Sequence, residues 1–123
     1  MNPSRVKQKL KAGKAVLCAA NHFANPNIVE LIGQIGYDCV WICNEHVGIN
    51  RETLEHQIRA ARLTNMDAMI RIVRGNHDDL IQPLEMGAKG LMIPRIRTAE
   101  EAARIVYDAK FAPVGMRGID GVN

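Results

Sequence analysis

Four short apolar runs, 16–20, 39–43, 68–73 and 90–94, recur along the chain with a helix-length segment after each. None alternates apolar with polar residues, which is how strands covered on both faces read. Asn25-Pro26 opens a helix that carries Ile28, Leu31, Ile32 and Ile35 on one face and stops at Gly36. A second helix, from Arg51 to about Leu63, turns Leu54, Ile58 and Ala61 inward. A shorter one from about His77 to Met86 contains Pro83, which removes a backbone bond and kinks it, and Gly87 ends it. Thr98 to Glu101 is a capping box ahead of a helix bearing Ala102, Ile105 and Val106. Ahead of them all, Asn2-Pro3 starts a helix that Gly13 stops, with Val6 and Leu10 as its apolar face.

Strand then helix, four times over, means parallel β-α units joined by right-handed crossovers. Four units suit a small open sheet or half of an eight-stranded barrel. Polar residues cluster just past the strand ends, which favours the barrel, whose chemistry sits on its C-terminal rim. The expected fold class is therefore α/β of the (β/α) TIM-barrel type, a half barrel of about four β-α units preceded by an N-terminal helix. Residues 1–123 form one domain, the N-terminal half of that barrel. A half barrel leaves two strand edges unpaired, so the chain is expected to be a fragment or one half of an assembly, and a homo-oligomer.

Composition excludes several partners. A net charge of +3 is mild, and no basic stripe interleaved with aromatics marks a nucleic-acid surface. Arg5, Lys7, Lys9, Lys11 and Lys14 read as the solvated face of the first helix. The apolar runs are strand-length, so no segment spans a membrane. Three cysteines, an odd number, behind a lysine-rich start that is no signal peptide point to reduced thiols in the cytoplasm. Cys39 and Cys43 would stand roughly 13 Å apart on a strand, too far for a disulfide or a shared metal, and read as small core residues.

The chemistry-bearing residues gather after the strands: Asn21 and His22, then Asn44, Glu45 and His46, then Arg74, then Arg95 and Arg97. Arg71 lies among Met69, Ile70, Ile72 and Val73, where a guanidinium needs a carboxylate or an anionic ligand. Either it makes a structural ion pair with Glu45 or Glu85, or it is a fork that holds a carboxylate or an enolate oxygen. His46 is the candidate general base, with His22 a weaker one; His56 and His77 fall on or beside helices and face solvent. No helix-borne pair of zinc ligands, serine elbow or phosphate loop is present, and Gly118-Ile119-Asp120-Gly121 is too short a glycine signal to carry meaning.

Cys43-Asn44-Glu45-His46, Ile70-Arg71-Ile72, the stretch Leu84 to Pro94 with its Gly87-Ala88-Lys89-Gly90, Thr98-Ala99-Glu100-Glu101-Ala102 and Pro113 to Gly118 together resemble the HpcH/HpaI aldolase (citrate lyase-like) family. The resemblance implies a metal-dependent class II pyruvate aldolase on a TIM barrel. Such a lyase cleaves 2-keto-3-deoxy or 4-hydroxy-2-oxo acids to pyruvate and an aldehyde, so the partner is a small 2-keto acid. It gives His46 the acid/base role, Arg71 the keto oxygen of the substrate, and Glu85 the place of an acidic partner to the histidine. Glu85 falls at a helix end on the far rim, so it would act across a subunit contact. Cys43 stands where the family usually has Asp. The cofactor implied is a divalent ion, Mg, Mn or Co, whose Glu and Asp ligands lie beyond Asn123; the chain alone is expected to bind no metal and to be inactive. The competing expectations are a non-catalytic half-barrel module for anion binding or assembly, and a citrate-lyase-like enzyme acting on an acyl thioester.

Overall fold

The structure, a computed structural model, describes residues 3–119. In chain order the elements are α1 (Arg5–Lys11), β1 (Cys18–Asn21), α2 (Pro26–Ile35), β2 (Cys39–Cys43), α3 (Arg51–Leu63), β3 (Asp67–Arg71), α4 (His77–Glu85), β4 (Gly90–Met92) and α5 (Ala99–Ala109). The strands form one sheet in the order β1-β2-β3-β4, every pair parallel. Right-handed crossovers that always step the same way put the connecting helices on one side of a sheet. A doubly wound sheet would reverse its order midway and cover both faces. The arrangement is thus the four-unit β/α arc expected of a half barrel.

Alternation along the strands divides their side chains between two faces. Val40, Ile42, Ala68, Ile70 and Ile72 point toward the helices and form the core with Val29 of α2, Leu54, Ile58 and Ala61 of α3, and Leu80 of α4. The other parity, Cys39, Trp41 and Cys43 on β2 with Asp67, Met69 and Arg71 on β3, shares the opposite face because the two strands pair in that register. Leu54, Ile58 and Ala61 are buried as the spacing requires. On α2 the buried residues are Val29 and Gly33, while Leu31 and Ile35 are exposed. Gly33 lies so close to Thr64 at the end of α3 that a β-carbon there would collide with it. That close approach, invisible to periodicity, rotates the buried stripe. Val106 is likewise exposed on α5, whose partly buried residues packed on the core are Ile105 and Ala109. The fourth strand ends at Met92 rather than Pro94, because its partner β3 ends at Arg71, which pairs with Met92.

The first helix departs most from expectation. Asn2 lies outside the described residues, as does the end of the Gly118–Gly121 stretch, and the cap observed is Ser4, whose hydroxyl accepts from the Lys7 N–H. No residue of α1 is buried, and Leu10 is 61% exposed, so no apolar face docks it. Ion pairs of Arg5 and Lys9 do so instead, which corrects the reading of those two as solvated, while Lys7, Lys11 and Lys14 are exposed as expected. Arg5 Nε and Lys9 Nζ lie 2.8 and 2.6 Å from the carboxylate of Asp38, which also accepts from the Leu17 N–H. Ser4 Oγ and the Val6 N–H both donate to Asp67 Oδ2. Asp38 immediately precedes β2 and Asp67 begins β3, so α1 lies across the N-terminal mouth of the sheet.

Asp38 is fully buried, and the Leu17 N–H and the Lys9 ammonium hold its carboxyl below the ordinary carboxylate range. A carboxyl depressed in the folded state stabilises the fold above its unfolded pKa, and the contribution is lost as pH falls through the folded value. Asp38→Asn should therefore lower Tm at pH 7 by about 5–10 °C and flatten the loss of stability below about pH 4. Thermal melts of both proteins between pH 3 and 8 check this; parallel curves would refute it.

Candidate functional site

Three strands deliver their last residues to one rim. Arg71 ends β3, and its carbonyl accepts from the Asn44 N–H, which pins the turn after β2 beside it. Glu45 reaches back so that its Oε2 lies 2.5 Å from Arg71 Nε and 3.2 Å from His46 Nε2. The approach to Arg71 is an ion pair rather than an aligned hydrogen bond. Both partners are partly sheltered, at 11% exposure for the Glu45 side chain and 27% for that of Arg71, whereas the His46 side chain is 57% exposed. Of the two carboxylates the sequence offered, Glu45 is thus the one beside Arg71. The arrangement brings His46 and Arg71 together through it.

An aromatic layer lies under this pair. The Arg71 guanidinium carbon stands 5.8 Å from the centroid of the Trp41 ring. On the same ring the His22 imidazole packs edge-on, with centroids 5.5 Å apart and planes at 72°. The loop holding His22 is clamped twice: Asn21 bonds both the N–H and the carbonyl of Phe23, and Gln57 of α3 donates to the same carbonyl. Trp41 Nε1 is buried without an acceptor among the described residues, a costly state for an indole N–H. Sequence reasoning placed Trp41 in the strand core and passed over Gln57. A signal existed, a single tryptophan in an otherwise aliphatic strand, but its parity with Arg71 depends on strand register.

The remaining candidates lie elsewhere. Arg74 donates to the Arg95 carbonyl and to Glu101, and the Arg97 N–H donates to Glu101 as well, so these loops after β3 and β4 are tied together. The Arg97 N–H first and the Arg74 guanidinium second hold the Glu101 carboxyl below its usual range. His77 begins α4 and is exposed, and His56 on α3 is half exposed beside Glu52. Glu85 ends α4, at the N-terminal side of β4, and accepts from Arg117 Nε and Nη2 at 2.9 and 2.5 Å. Within one chain it therefore stands at the opposite end of the sheet from His46 and Arg71. A cleft of about 460 Å³ between α4 and α5, lined by Ile72, Leu80, Ile93 and Ile105, opens on the helix side and includes none of Trp41, Arg71 or His46.

Among the described residues, no three of His, Cys, Asp and Glu gather where they could hold a metal ion. Glu45 already neutralises a guanidinium, and Cys43 is fully buried on the strand below. These side chains by themselves do not compose a divalent-cation site.

Comparison with known proteins gives the arrangement relatives. The sequence profile of the HpcH/HpaI aldolase/citrate lyase family matches residues 21–122. The chain is 34% identical over 92 residues to a 2-keto-3-deoxy-L-rhamnonate aldolase of Klebsiella pneumoniae, a match covering 75% of this chain and 34% of that protein. Its backbone superimposes on the crystal structure of citrate synthase SbnG with a TM-score of 0.89 at 36% identity, covering 93% of this chain and 46% of the other. For an HpcH/HpaI aldolase from Desulfitobacterium hafniense the TM-score is 0.87 at 32% identity, covering 94% and 45%. The chain spans less than half the length of each. No helix among the described residues is long and apolar enough to cross a membrane.

The three cysteines differ sharply in access. Cys18 is exposed, Cys39 and Cys43 are buried, and burial first, then the neighbouring Cys18, pushes the Cys39 thiol far above its ordinary range. Since the thiolate is the reactive form, Ellman's reagent should titrate one thiol in the native protein and three after denaturation. Cys18→Ser should abolish the native signal; rapid reaction of a second thiol would contradict the packing.

Proposed function

The chain belongs to the HpcH/HpaI aldolase/citrate lyase family, and from that premise we propose that it supplies the keto-acid half of an aldolase site. The reaction is cleavage of a 2-keto-3-deoxy or 4-hydroxy-2-oxo acid to pyruvate and an aldehyde. What carries the reading is the convergence of Arg71 and His46 on Glu45 at the C-terminal rim. The Arg71 guanidinium carries positive charge to the place where the keto oxygen of the substrate turns into an enolate oxygen, and charge already in position stabilises that transition state. His46, more than half exposed beside the same carboxylate, is placed to move a proton. In cleavage the substrate hydroxyl loses its proton, the C–C bond to the aldehyde carbon breaks, and the enolate takes a proton to become pyruvate.

Family members of the class II type use a divalent ion, Mg, Mn or Co, as the Lewis acid that polarises the keto group. Among the described residues no three of His, Cys, Asp and Glu gather to hold it, and we assign its ligands to the further strands of a complete barrel. Among the described residues the edges of β1 and β4 each pair on one side only, which supports completion of the barrel by further strands; we read the enzyme as homo-oligomeric and cytoplasmic. Glu85 enters this reading as a carboxylate that reaches His46 of a second subunit.

The test is a chimera joining this chain to the C-terminal half of the Klebsiella pneumoniae relative, assayed for pyruvate from a 2-keto-3-deoxy acid with lactate dehydrogenase as reporter. The chimera should release pyruvate in the presence of Mn²⁺. His46→Asn and Arg71→Lys should each lower kcat by about 10²-fold or more. Unchanged turnover in both variants would refute the assignment.

A further inference from the structure

Arg71 is a long side chain with a large rotamer entropy, and a fork that recognises a planar acid works only if it is held still. Two contacts hold it. Glu45 Oε2 touches Nε, at the inner corner of the guanidinium. The Trp41 ring lies 5.8 Å from Cζ, within the range at which a cation is attracted by an aromatic face. Trp41 is itself fixed, since β2 is a central strand and the His22 ring packs edge-on against the indole. His22 in turn sits in the loop clamped by Asn21 and Gln57. The outer edge of the guanidinium, Nη1 and Nη2, has no partner among the described residues, and the side chain keeps 27% of its surface exposed.

From this geometry we infer that Trp41 is a positioning residue: it acts through Arg71, holding the guanidinium so that its two Nη groups face the rim as a bidentate receptor for a planar 2-oxo-acid carboxylate or its enolate. The inference deepens the aldolase reading and rests on it for the identity of the ligand, but not for the contact between ring and guanidinium. Glu45 stands as an ion-pair partner at Nε and leaves the fork free, a division of labour that one carboxylate and one ring achieve from different sides. A fork fixed in advance loses less entropy on binding than one that must first be ordered.

The chain contains a single tryptophan, so all tryptophan emission reports on this position. Two measurements on the full chain test the inference, with oxalate, a planar mimic of the pyruvate enolate, as probe. The first is the nuclear magnetic resonance signal of the Arg71 Nε–H group, recorded without ligand. It should be displaced by the aromatic ring in the wild type and in Trp41→Phe, and return to the position of a mobile arginine in Trp41→Leu. The second is oxalate affinity, followed by fluorescence in the wild type and by calorimetry in the variants. Trp41→Leu should weaken it about tenfold and Trp41→Phe by less than about threefold. An undisplaced Arg71 signal in the wild type, or equal losses for Phe and Leu, would overturn the role of Trp41. A displaced signal without any oxalate binding would instead overturn the anion site and leave the positioning contact standing.

Discussion

Backbone pairing between β2 and β3 sets Cys43 beside Arg71 and Trp41 beside Met69. In a parallel ladder, residues so paired share a face, and a slip of one residue would exchange that face for the other. If β3 slipped, Arg71 would point into the apolar core beside Ile42, and Ile70 would point away from it. The cost of burying an unpaired guanidinium there is several kcal/mol, so packing and electrostatics select the same register. The Asn44 N–H bond to the Arg71 carbonyl carries the pairing past the end of the strand and brings Glu45 over the guanidinium. The contacts of Arg71 with Glu45 and with Trp41 follow from that alignment.

The opposite mouth is closed by charge. Burying Asp38 completely would be prohibitive alone, but two cations and a backbone N–H surround it. Arg5 and Lys9 each keep about a third of their side-chain surface in water. They therefore give up only part of their hydration, while the buried carboxylate gains their full proximity. A short helix with little apolar surface can be held this way where hydrophobic docking would fail. Both ends of the sheet shelter a carboxylate beside a cationic side chain, for different purposes: at the lower mouth the charges are consumed in holding α1, and at the upper rim one edge of the Arg71 guanidinium stays free among the described residues.

That free edge gives the rim its chemistry. Glu45 lowers the cost of sheltering Arg71 without covering the nitrogens that could grip a ligand, and the half-buried Trp41 ring lies beside the guanidinium with the exposed His22 ring edge-on against it. In such a partly sheltered place a charge acts more strongly on a bound anion than it would in water. His46 stands at the wet side of the same carboxylate, where a proton can be exchanged with solvent.

The run of four apolar strands and amphipathic helices determined the β/α architecture by itself, because backbone hydrogen bonding and right-handed crossovers leave few ways to fold such a pattern. It also determined that Arg71 needed an anion and that His46 stood at a strand end, since both statements depend only on local context. Three things were decided by the tertiary structure: which carboxylate met Arg71, that Trp41 lay beneath it, and that α1 was held by Asp38 and Asp67. Each depends on register or on contacts between residues distant in the chain, such as the 61 positions separating Val6 from Asp67. The rotated stripe of α2 has the same origin, in the close approach of Gly33 to Thr64. Periodicity reports which side chains can share a face; only packing against a particular neighbour decides what that face meets.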